Sequence, residues 1–179
     1  DLLARQGSES IGIIFENTGF NISIAKGVRK WADRFNLKIT YDNGFDDADN
    51  ELPIILKQVM KKNIDGLIFS GYPPECYKFI NLMKKTGYRP KNLAFTIAPI
   101  LPGFYKRVGT FAEGVFGPSQ WEPDERIPFP GTKQFIKDFK DFTGKMPSYH
   151  AASAYSACQI LEKAIIQAQT IDHKKIRNY

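Results

Sequence analysis

The sequence predicts an α/β domain in which helices flank a parallel, doubly wound sheet of the Rossmann-like type. Two observations lead to this fold class. Strand-like and helix-like segments alternate along most of the 179 residues, as they do in repeated βαβ units. The first strand-like segment, residues 11–15, is an unbroken apolar run, which is typical of a strand buried on both faces of a parallel sheet.

Five segments are predicted to be strands. They are residues 11–15, 37–41, 66–69, 93–97 and 113–116. The first four are short runs of mainly apolar residues, and each is followed by helical or turn-forming sequence. The order of these segments predicts right-handed crossovers between parallel strands.

Apolar residues spaced three and four apart predict the helices that follow the first three strands. Their stripes are Phe20, Ile24, Val28, Trp31 and Phe35; Leu52, Ile55, Leu56, Val59 and Met60; and Cys76, Phe79, Ile80 and Met83. Asp49 or Asn50 is expected to cap the second of these helices. Pro73 is expected to open the third, and Gly87 to end it.

The last third of the sequence has a different character. Four prolines break regular structure between residues 117 and 131, namely Pro118, Pro123, Pro128 and Pro130. A loop of this length is uncommon in a compact domain unless it has a function. A helix with the stripe Phe135, Ile136, Phe139 and Phe142 follows and ends at Gly144. Ser148 is predicted to cap a long helix that runs to about residue 169, and Asp172 a last short one.

The composition is that of an ordinary globular domain, with 42% apolar and 25% charged residues. These values exclude a disordered chain, and no stretch approaches the 18 apolar residues that a membrane span requires. The net charge is +6, but the lysine pairs are scattered near predicted helix ends, where cations complement the helix dipole. We therefore expect no nucleic-acid partner.

The common motifs of catalysis and cofactor binding are missing from the sequence. It contains no G-x-G-x-x-G after the first strand, no P-loop and no G-x-S-x-G elbow. Cys76 and Cys158 lack metal or redox spacing, and we expect both to be free, buried thiols. The acidic cluster of Asp46, Asp47, Asp49 and Glu51 does not match an EF-hand and is favourable at a helix N-terminus in any case. We expect no enzymatic activity, no cofactor and no metal.

Ligands of parallel α/β sheets bind beyond the carboxyl ends of the strands. Phe20 and Tyr72 follow the first and third strands at that edge, where an aromatic ring can stack on a small ligand. The alternative is that both rings only cover the apolar core. Trp121, in the long loop, is either a lid over a ligand or a plug against the body of the domain.

Four segments carry a resemblance to one protein family. They are residues 11–20 (IGIIFENTGF), 63–75 (NIDGLIFSGYPPE), 112–121 (AEGVFGPSQW) and 147–168 (PSYHAASAYSACQILEKAIIQA). In order and spacing they resemble the second lobe of the type I periplasmic binding proteins that supply branched-chain and related amino-acid ABC importers. Each segment alone has low specificity, but the four occur in the family's order, and the resemblance runs from about residue 8 to residue 179.

The resemblance implies a receptor whose two lobes close on a small solute like a hinge. Residues 1–179 would form a single ligand-binding lobe, with the first lobe preceding Asp1 and a segment that returns to it following Tyr179. The implied partners are the small ligand, the missing first lobe and an ABC permease. The implied location is periplasmic or extracellular, with or without a lipid anchor.

In this family the second lobe supplies an aromatic after its first strand, a tyrosine after its third, and an acid after its fourth that meets the ligand ammonium. Phe20 and Tyr72 occupy the first two positions, but Pro99 stands near the third. The other residues of the predicted site are Asn17, Thr18, Gly71 and Trp121. Because a buried ammonium without a carboxylate partner is costly, the wall of Phe20, Tyr72 and Pro99 favours aromatic and other small organic acids over an α-amino acid.

Three functions remain open at this point. The first is the solute-binding component of an ABC importer for a small amino acid or organic acid. The second is a cytoplasmic ligand-sensing regulator, because the same lobe architecture serves such regulators. The third is a small α/β enzyme of flavodoxin-like topology. A signal peptide or lipoprotein cysteine at the protein's own N-terminus would indicate the transporter, and a helix-turn-helix the regulator.

Overall fold

The computed structural model describes residues 1–124 and 129–178, and its centre is a five-stranded parallel sheet. The strands are β1 (Ser10–Glu16), β2 (Lys38–Phe45), β3 (Gly66–Ser70), β4 (Asn92–Phe95) and β5 (Val115–Phe116). Their order across the sheet is β2-β1-β3-β4-β5. The predicted fold class, a parallel sheet flanked by helices, is confirmed.

Eight α-helices surround or follow the sheet in the described part of the chain. They are α1 (Leu2–Arg5), α2 (Gly19–Arg34), α3 (Ala48–Met60), α4 (Pro73–Thr86), α5 (Phe104–Val108), α6 (Thr132–Thr143), α7 (Tyr149–Ala168) and α8 (His173–Arg177). Two short 3-10 helices, Ala98–Ile100 and Gly109–Ala112, lie between β4 and β5. No helix of the described residues has the length and hydropathy to span a membrane.

The two faces of the sheet are packed differently. On one face, α3 and α4 contribute to a core in which the Phe69 ring lies 4.8 Å from Phe79 and 5.5 Å from Phe95, measured between centroids. On the other face, Ala25 and Ala32 of α2 pack with apolar side chains of β1. An apolar groove of about 990 Å³ remains beside α2 on that second face. Most of the stripe predicted on α2 lines this groove instead of a closed core, and Trp31 is 49% exposed.

The prediction that Asp49 or Asn50 caps α3 is wrong, because Asp47 does so. The Asp47 carboxylate accepts hydrogen bonds from the backbone N–H groups of Asp49 and Asn50 at 3.0 and 3.2 Å. Glu51 accepts from the backbone N–H groups of Asp46 and Asp47, which completes a reciprocal cap. The predicted caps or ends at Gly87, Gly144, Ser148 and Asp172 are confirmed.

The chain divides into two compact units, residues 1–118 and the residues from 119 onward. The first unit contains all five strands, and the second contains α6, α7 and α8. The region predicted as a long loop begins directly after β5, its described residues form no helix or strand, and Pro128 lies outside the described residues. That residues 1–179 form one lobe of a larger receptor stays a prediction.

Candidate functional site

The carboxyl edge of the sheet presents two aromatic rings to solvent. Phe20 lies in the first turn of α2, directly after β1, and Tyr72 is the residue before α4, directly after β3. Their ring centroids are 6.3 Å apart and the rings are nearly parallel, at 22°. Phe20 is 51% exposed and Tyr72 is 40% exposed, which favours a ligand surface over a cover for the core.

Hydrogen-bonded polar side chains lie next to this pair in sequence and link α2 to the ends of β3 and β4. The Ser70 hydroxyl donates to the Asn21 side-chain oxygen at 2.8 Å, and Thr96 Oγ1 donates to Ser70 Oγ at 3.4 Å. Asn21 and Ser70 are fully buried, so these hydrogen bonds offset the cost of removing polar groups from water. Asn21 follows Phe20 directly in sequence. These hydrogen bonds therefore fix the first turn of α2, which carries the Phe20 ring.

Glu16, the last residue of β1, joins these side chains to Tyr72. Its Oε2 accepts a hydrogen bond from the backbone N–H of Tyr72 at 3.1 Å and from Asn21 Nδ2 at 3.4 Å. The residue is half-buried, and no lysine, arginine or histidine of residues 1–124 and 129–178 lies within ion-pair distance of its carboxylate. Glu16 is not among the predicted site residues, although it directly follows the first predicted strand.

Thr18 and Asn17 hold the loop between β1 and α2. Thr18 Oγ1 accepts from the backbone N–H of Asn21 at 3.4 Å and from its side-chain amide at 3.0 Å, so Thr18 is the N-cap of α2. Asn17 Nδ2 donates to Asp46 at 2.9 Å, beyond the end of β2. Both side chains therefore form hydrogen bonds with other residues of the protein. That either of them contacts a ligand stays a prediction.

Gly71 allows a close approach between the site and the core. A Cβ at this buried position would lie 2.8 Å from Cε1 of Phe69, which is closer than carbon atoms pack. The Gly71 carbonyl accepts a hydrogen bond from the Cys76 thiol at 3.2 Å. Burial raises the pKa of Cys76 to about 12, so this cysteine stays a neutral thiol at physiological pH.

Pro99 lies in the 3-10 helix after β4, one strand further along the same edge. It packs against the end of β5, because a Cβ on Gly117 would stand 2.7 Å from the Cβ of Pro99. Trp121 lies in the second compact unit, where its ring meets that of Phe135 edge-on at 5.8 Å. The structure thus gathers six of the seven predicted site residues in one unit, and the roles of Pro99 and Trp121 stay predictions.

Each acid of the acidic cluster has a hydrogen bond or an ion pair within the protein. Asp47 and Glu51 form the cap of α3 described above, and Asp46 accepts from Asn17. Asp49 pairs with Lys78 at 2.8 Å. Within the described residues, no group of three or more histidine, cysteine, aspartate or glutamate side chains could hold a metal ion.

The two cysteines differ, contrary to the prediction that both are buried. Cys76 is fully buried beneath Gly71, whereas Cys158 of α7 is exposed. Neither forms a disulfide with a described residue. Burial of Cys158 was expected because free cysteines inside helices are usually buried, but α7 carries several exposed apolar side chains, including Ile160 and Leu161.

Comparison with known proteins places this arrangement in a family. The family model described as periplasmic binding protein matches residues 1–178. The leucine-, isoleucine-, valine-, threonine- and alanine-binding protein of Pseudomonas aeruginosa is 21% identical in an alignment of 179 positions that covers 96% of this chain and 45% of that protein.

Solved structures show the same fold. A leucine-binding protein, LivK of Thermotoga maritima, superposes with a TM-score of 0.85 at 20% identity over 96% of this chain and 49% of its own. The branched-chain amino-acid binding protein LivJ of Streptococcus pneumoniae, solved with isoleucine, gives a TM-score of 0.80 at 17% identity, over 97% of this chain and 49% of its own. The chain therefore spans about half the length of these relatives. Because the family model matches almost the whole of this chain, the chain belongs to the periplasmic binding proteins.

Proposed function

We propose that this chain is the ligand-binding second lobe of the solute-binding component of an ABC importer. The observation that carries the proposal is the exposed, nearly parallel pair of Phe20 and Tyr72 at the carboxyl edge of the sheet. In a periplasmic binding protein this edge is where a small solute meets the lobe. We further propose a periplasmic or extracellular location and an ABC permease as partner.

The pair is suited to binding and not to chemical conversion. Two exposed rings offer stacking and apolar contact to a small solute, and Tyr72 adds a hydroxyl. Cys76 lies beneath this edge, and its buried thiol is held protonated by its raised pKa of about 12. We propose that the solute is a small amino acid or an organic acid, aromatic acids included, and that a first lobe closes over it from the other side.

The hydrogen-bonded polar side chains give this surface a fixed geometry. Asn21, Ser70 and Thr96 tie the start of α2 to the ends of β3 and β4, and Asn21 also donates to Glu16 at the end of β1, so the rings project from a rigid edge. A rigid edge lowers the conformational entropy that is lost when the ligand binds. This favours a lobe that moves as a body during closure over one that reorganises its site.

A thermal-shift screen of the complete two-lobed protein tests the proposal. The panel contains branched-chain amino acids and aromatic carboxylic acids, and residues 1–179 alone serve as the control. A ligand present at a hundred times its Kd should stabilise the complete protein by about 2.7 kcal/mol, whereas residues 1–179, which have only half of the pocket, should show little shift. If no compound of the panel raises the unfolding temperature of the complete protein, the proposed solute class is wrong.

A further inference from the structure

Most of the chain's net positive charge lies in one part of the first unit. Residues 84–113 contain six lysines and arginines and a single acid, Glu113, which gives a net charge of +5 in a chain whose total is +6. One of the six, Lys91, donates to the carbonyl of Gly7. The other five are exposed and lie at the end of α4, just after it and in α5; we call them the basic patch: Lys84, Lys85, Arg89, Lys106 and Arg107.

Contacts between the end of α4 and the segment around α5 bring these cations together. Lys84 Nζ donates to the carbonyl of Val108 at 2.6 Å, and Val108 directly follows Arg107. The Arg89 guanidinium donates to the carbonyl of Phe111 at 2.6 Å, and the Phe111 ring centroid lies 4.7 Å from Arg89 Cζ and 5.8 Å from Lys84 Nζ. A neutral carbonyl fixes the position of a cation without neutralising it, so the patch keeps its positive charge at the surface.

The basic patch lies at the end of the sheet opposite the exposed rings. Helix α4 begins directly after Tyr72 at the carboxyl edge, and it ends near the start of β4 at the amino edge because it runs antiparallel to the strands. Its 14 residues span about 21 Å. A partner at the patch therefore leaves the ring pair open to a solute and to a first lobe.

The helix dipole explains only part of this concentration of charge. It favours Lys84 and Lys85 in the last turn of α4, but Arg89 lies beyond that helix, and α5 has only five residues and a correspondingly small dipole. The residue before Lys106 is Tyr105, whose side chain is 62% exposed. An exposed tyrosine among lysines and arginines is suited to the headgroup layer of a membrane, where its ring meets apolar atoms and its hydroxyl meets water.

We propose that the basic patch binds the anionic headgroups of a phospholipid membrane. The inference rests on the proposed function, in that an ABC permease places the solute-binding protein at a membrane surface. Each lysine or arginine near an anionic leaflet adds to the attraction, which falls off within a Debye length. A nucleic acid would meet the same charge, but the proposed periplasmic or extracellular location favours the membrane. The patch holds the lobe beside the bilayer while the opposite edge of the sheet stays free for the solute.

Two matched double variants separate the patch from the total charge. Lys85→Gln with Lys106→Gln removes two exposed charges of the patch and leaves the hydrogen bond of Lys84 in place. Lys26→Gln with Lys30→Gln is the control, because it removes two exposed lysines of α2, which packs on the other face of the sheet. Both variants lower the net charge by the same amount.

The experiment is co-sedimentation of the complete two-lobed protein, free of any lipid modification, with vesicles of two compositions. One is phosphatidylcholine alone, and the other is an equal mixture of phosphatidylcholine and phosphatidylglycerol. We expect the wild-type protein to partition at least tenfold more strongly onto the phosphatidylglycerol vesicles at low salt and to be released at high salt. The patch variant should lower this partition coefficient at least tenfold, and the control variant less than threefold.

Three results would overturn the inference. Equal partitioning onto both kinds of vesicle, or binding that survives high salt, would refute a charge-based membrane surface, and this comparison needs only the wild-type protein. Equal losses in the two double variants would show that the total charge matters and the patch does not. Tighter binding of duplex DNA than of the anionic vesicles at the same salt would assign the patch to a nucleic acid.

The thermal-shift screen with solutes, run on the same protein, keeps the two proposals apart. A response to a solute without binding to anionic vesicles refutes the membrane surface alone and leaves the proposed function intact. The absence of both refutes the membrane surface together with the proposed solute class. The patch variant should keep the solute response of the wild type, because the patch and the ring pair lie at opposite ends of α4.

Discussion

The two ends of the sheet each contain a half-buried carboxylate that accepts backbone hydrogen bonds, but their surroundings differ. At the amino end, Asp65 Oδ2 accepts from the backbone N–H groups of Glu9 and Ser10 at 3.1 and 2.9 Å, and from the Ser10 hydroxyl at 2.9 Å. Lys91 adds electrostatic attraction there. At the carboxyl end, Glu16 accepts from Tyr72 and Asn21, without a protein cation among the described residues.

The two carboxylates position different parts of the molecule. Asp65 fastens the chain before β1 to the start of β3, and its interactions are completed by the protein's own groups. These hydrogen bonds lower the pKa of Asp65, which shows that the folded structure favours its charged form. Glu16 instead holds the backbone N–H of Tyr72 and the side chain of Asn21, which follows Phe20, so it positions the residues that carry the two exposed rings.

The largest effect on stability is expected from Gly71→Ala, which tests how tightly the carboxyl end is packed. The added methyl would stand 2.8 Å from the Phe69 ring, which is fully buried among other phenylalanines and cannot easily move. We expect a loss of about 1–3 kcal/mol in the free energy of unfolding, measured by urea denaturation.

Gly19→Ala is the matched control for this prediction. It adds the same methyl at the same end of the sheet, where nothing lies within 4 Å of it. Its expected effect is a stabilisation of less than about 1 kcal/mol, because alanine restricts the unfolded chain and favours the helix. Equal losses for the two variants would mean that the packing described at Gly71 is incorrect.

A smaller effect is expected at the amino end, and it depends on pH. Because the pKa of Asp65 is lowered in the folded protein, its contribution to stability is present above the ordinary carboxyl pKa and is lost as the pH falls through the folded value. We expect Asp65→Asn to cost about 1 kcal/mol or less at pH 7 and to flatten the decline in unfolding free energy below about pH 4.

Urea denaturation at a series of pH values measures this contribution. Ser10→Ala is the control, because it removes one hydroxyl donor and keeps the carboxylate and both backbone donors. Its acid decline should lie between those of the wild type and Asp65→Asn. An acid decline in Asp65→Asn as steep as that of the wild type would show that Asp65 does not carry the structural role assigned to the amino end.

Most strands and helices, and the edge of the sheet at which the two rings lie, could be predicted from the sequence because local patterns determine them. The apolar runs identified the strands, and the rule for parallel sheets located Phe20 and Tyr72 at one edge. The cap of α3 was predicted two or three residues too late, because several neighbouring residues offer similar caps and the hydrogen bonds from the backbone of Asp46 and Asp47 to Glu51 select Asp47. Helix α5 was missed because its five residues are too few to show a period.

The polar part of the site could not be predicted in the same way. The hydrogen bond between Asn21 and Ser70 joins residues 49 positions apart, and the bond between Glu16 and Tyr72 spans 56. Such pairs depend on the register of neighbouring strands, in which Phe15 lies opposite Ser70, and a single sequence does not reveal that register. The only local signal for Asn21 is that it follows Phe20, the aromatic predicted to lie beyond the first strand.

The central claim is that the ring pair at the carboxyl end binds the solute, and one titration tests it most directly. In the complete two-lobed protein, with the panel compound that stabilises it most, Tyr72→Ala should weaken binding at least tenfold, or about 1.4 kcal/mol. Tyr105→Ala is the control, because Tyr105 is a 62% exposed tyrosine of α5 that has no place in the proposed site, and its affinity should match the wild type. Unchanged affinity in Tyr72→Ala, or equal losses in both variants, would contradict the account.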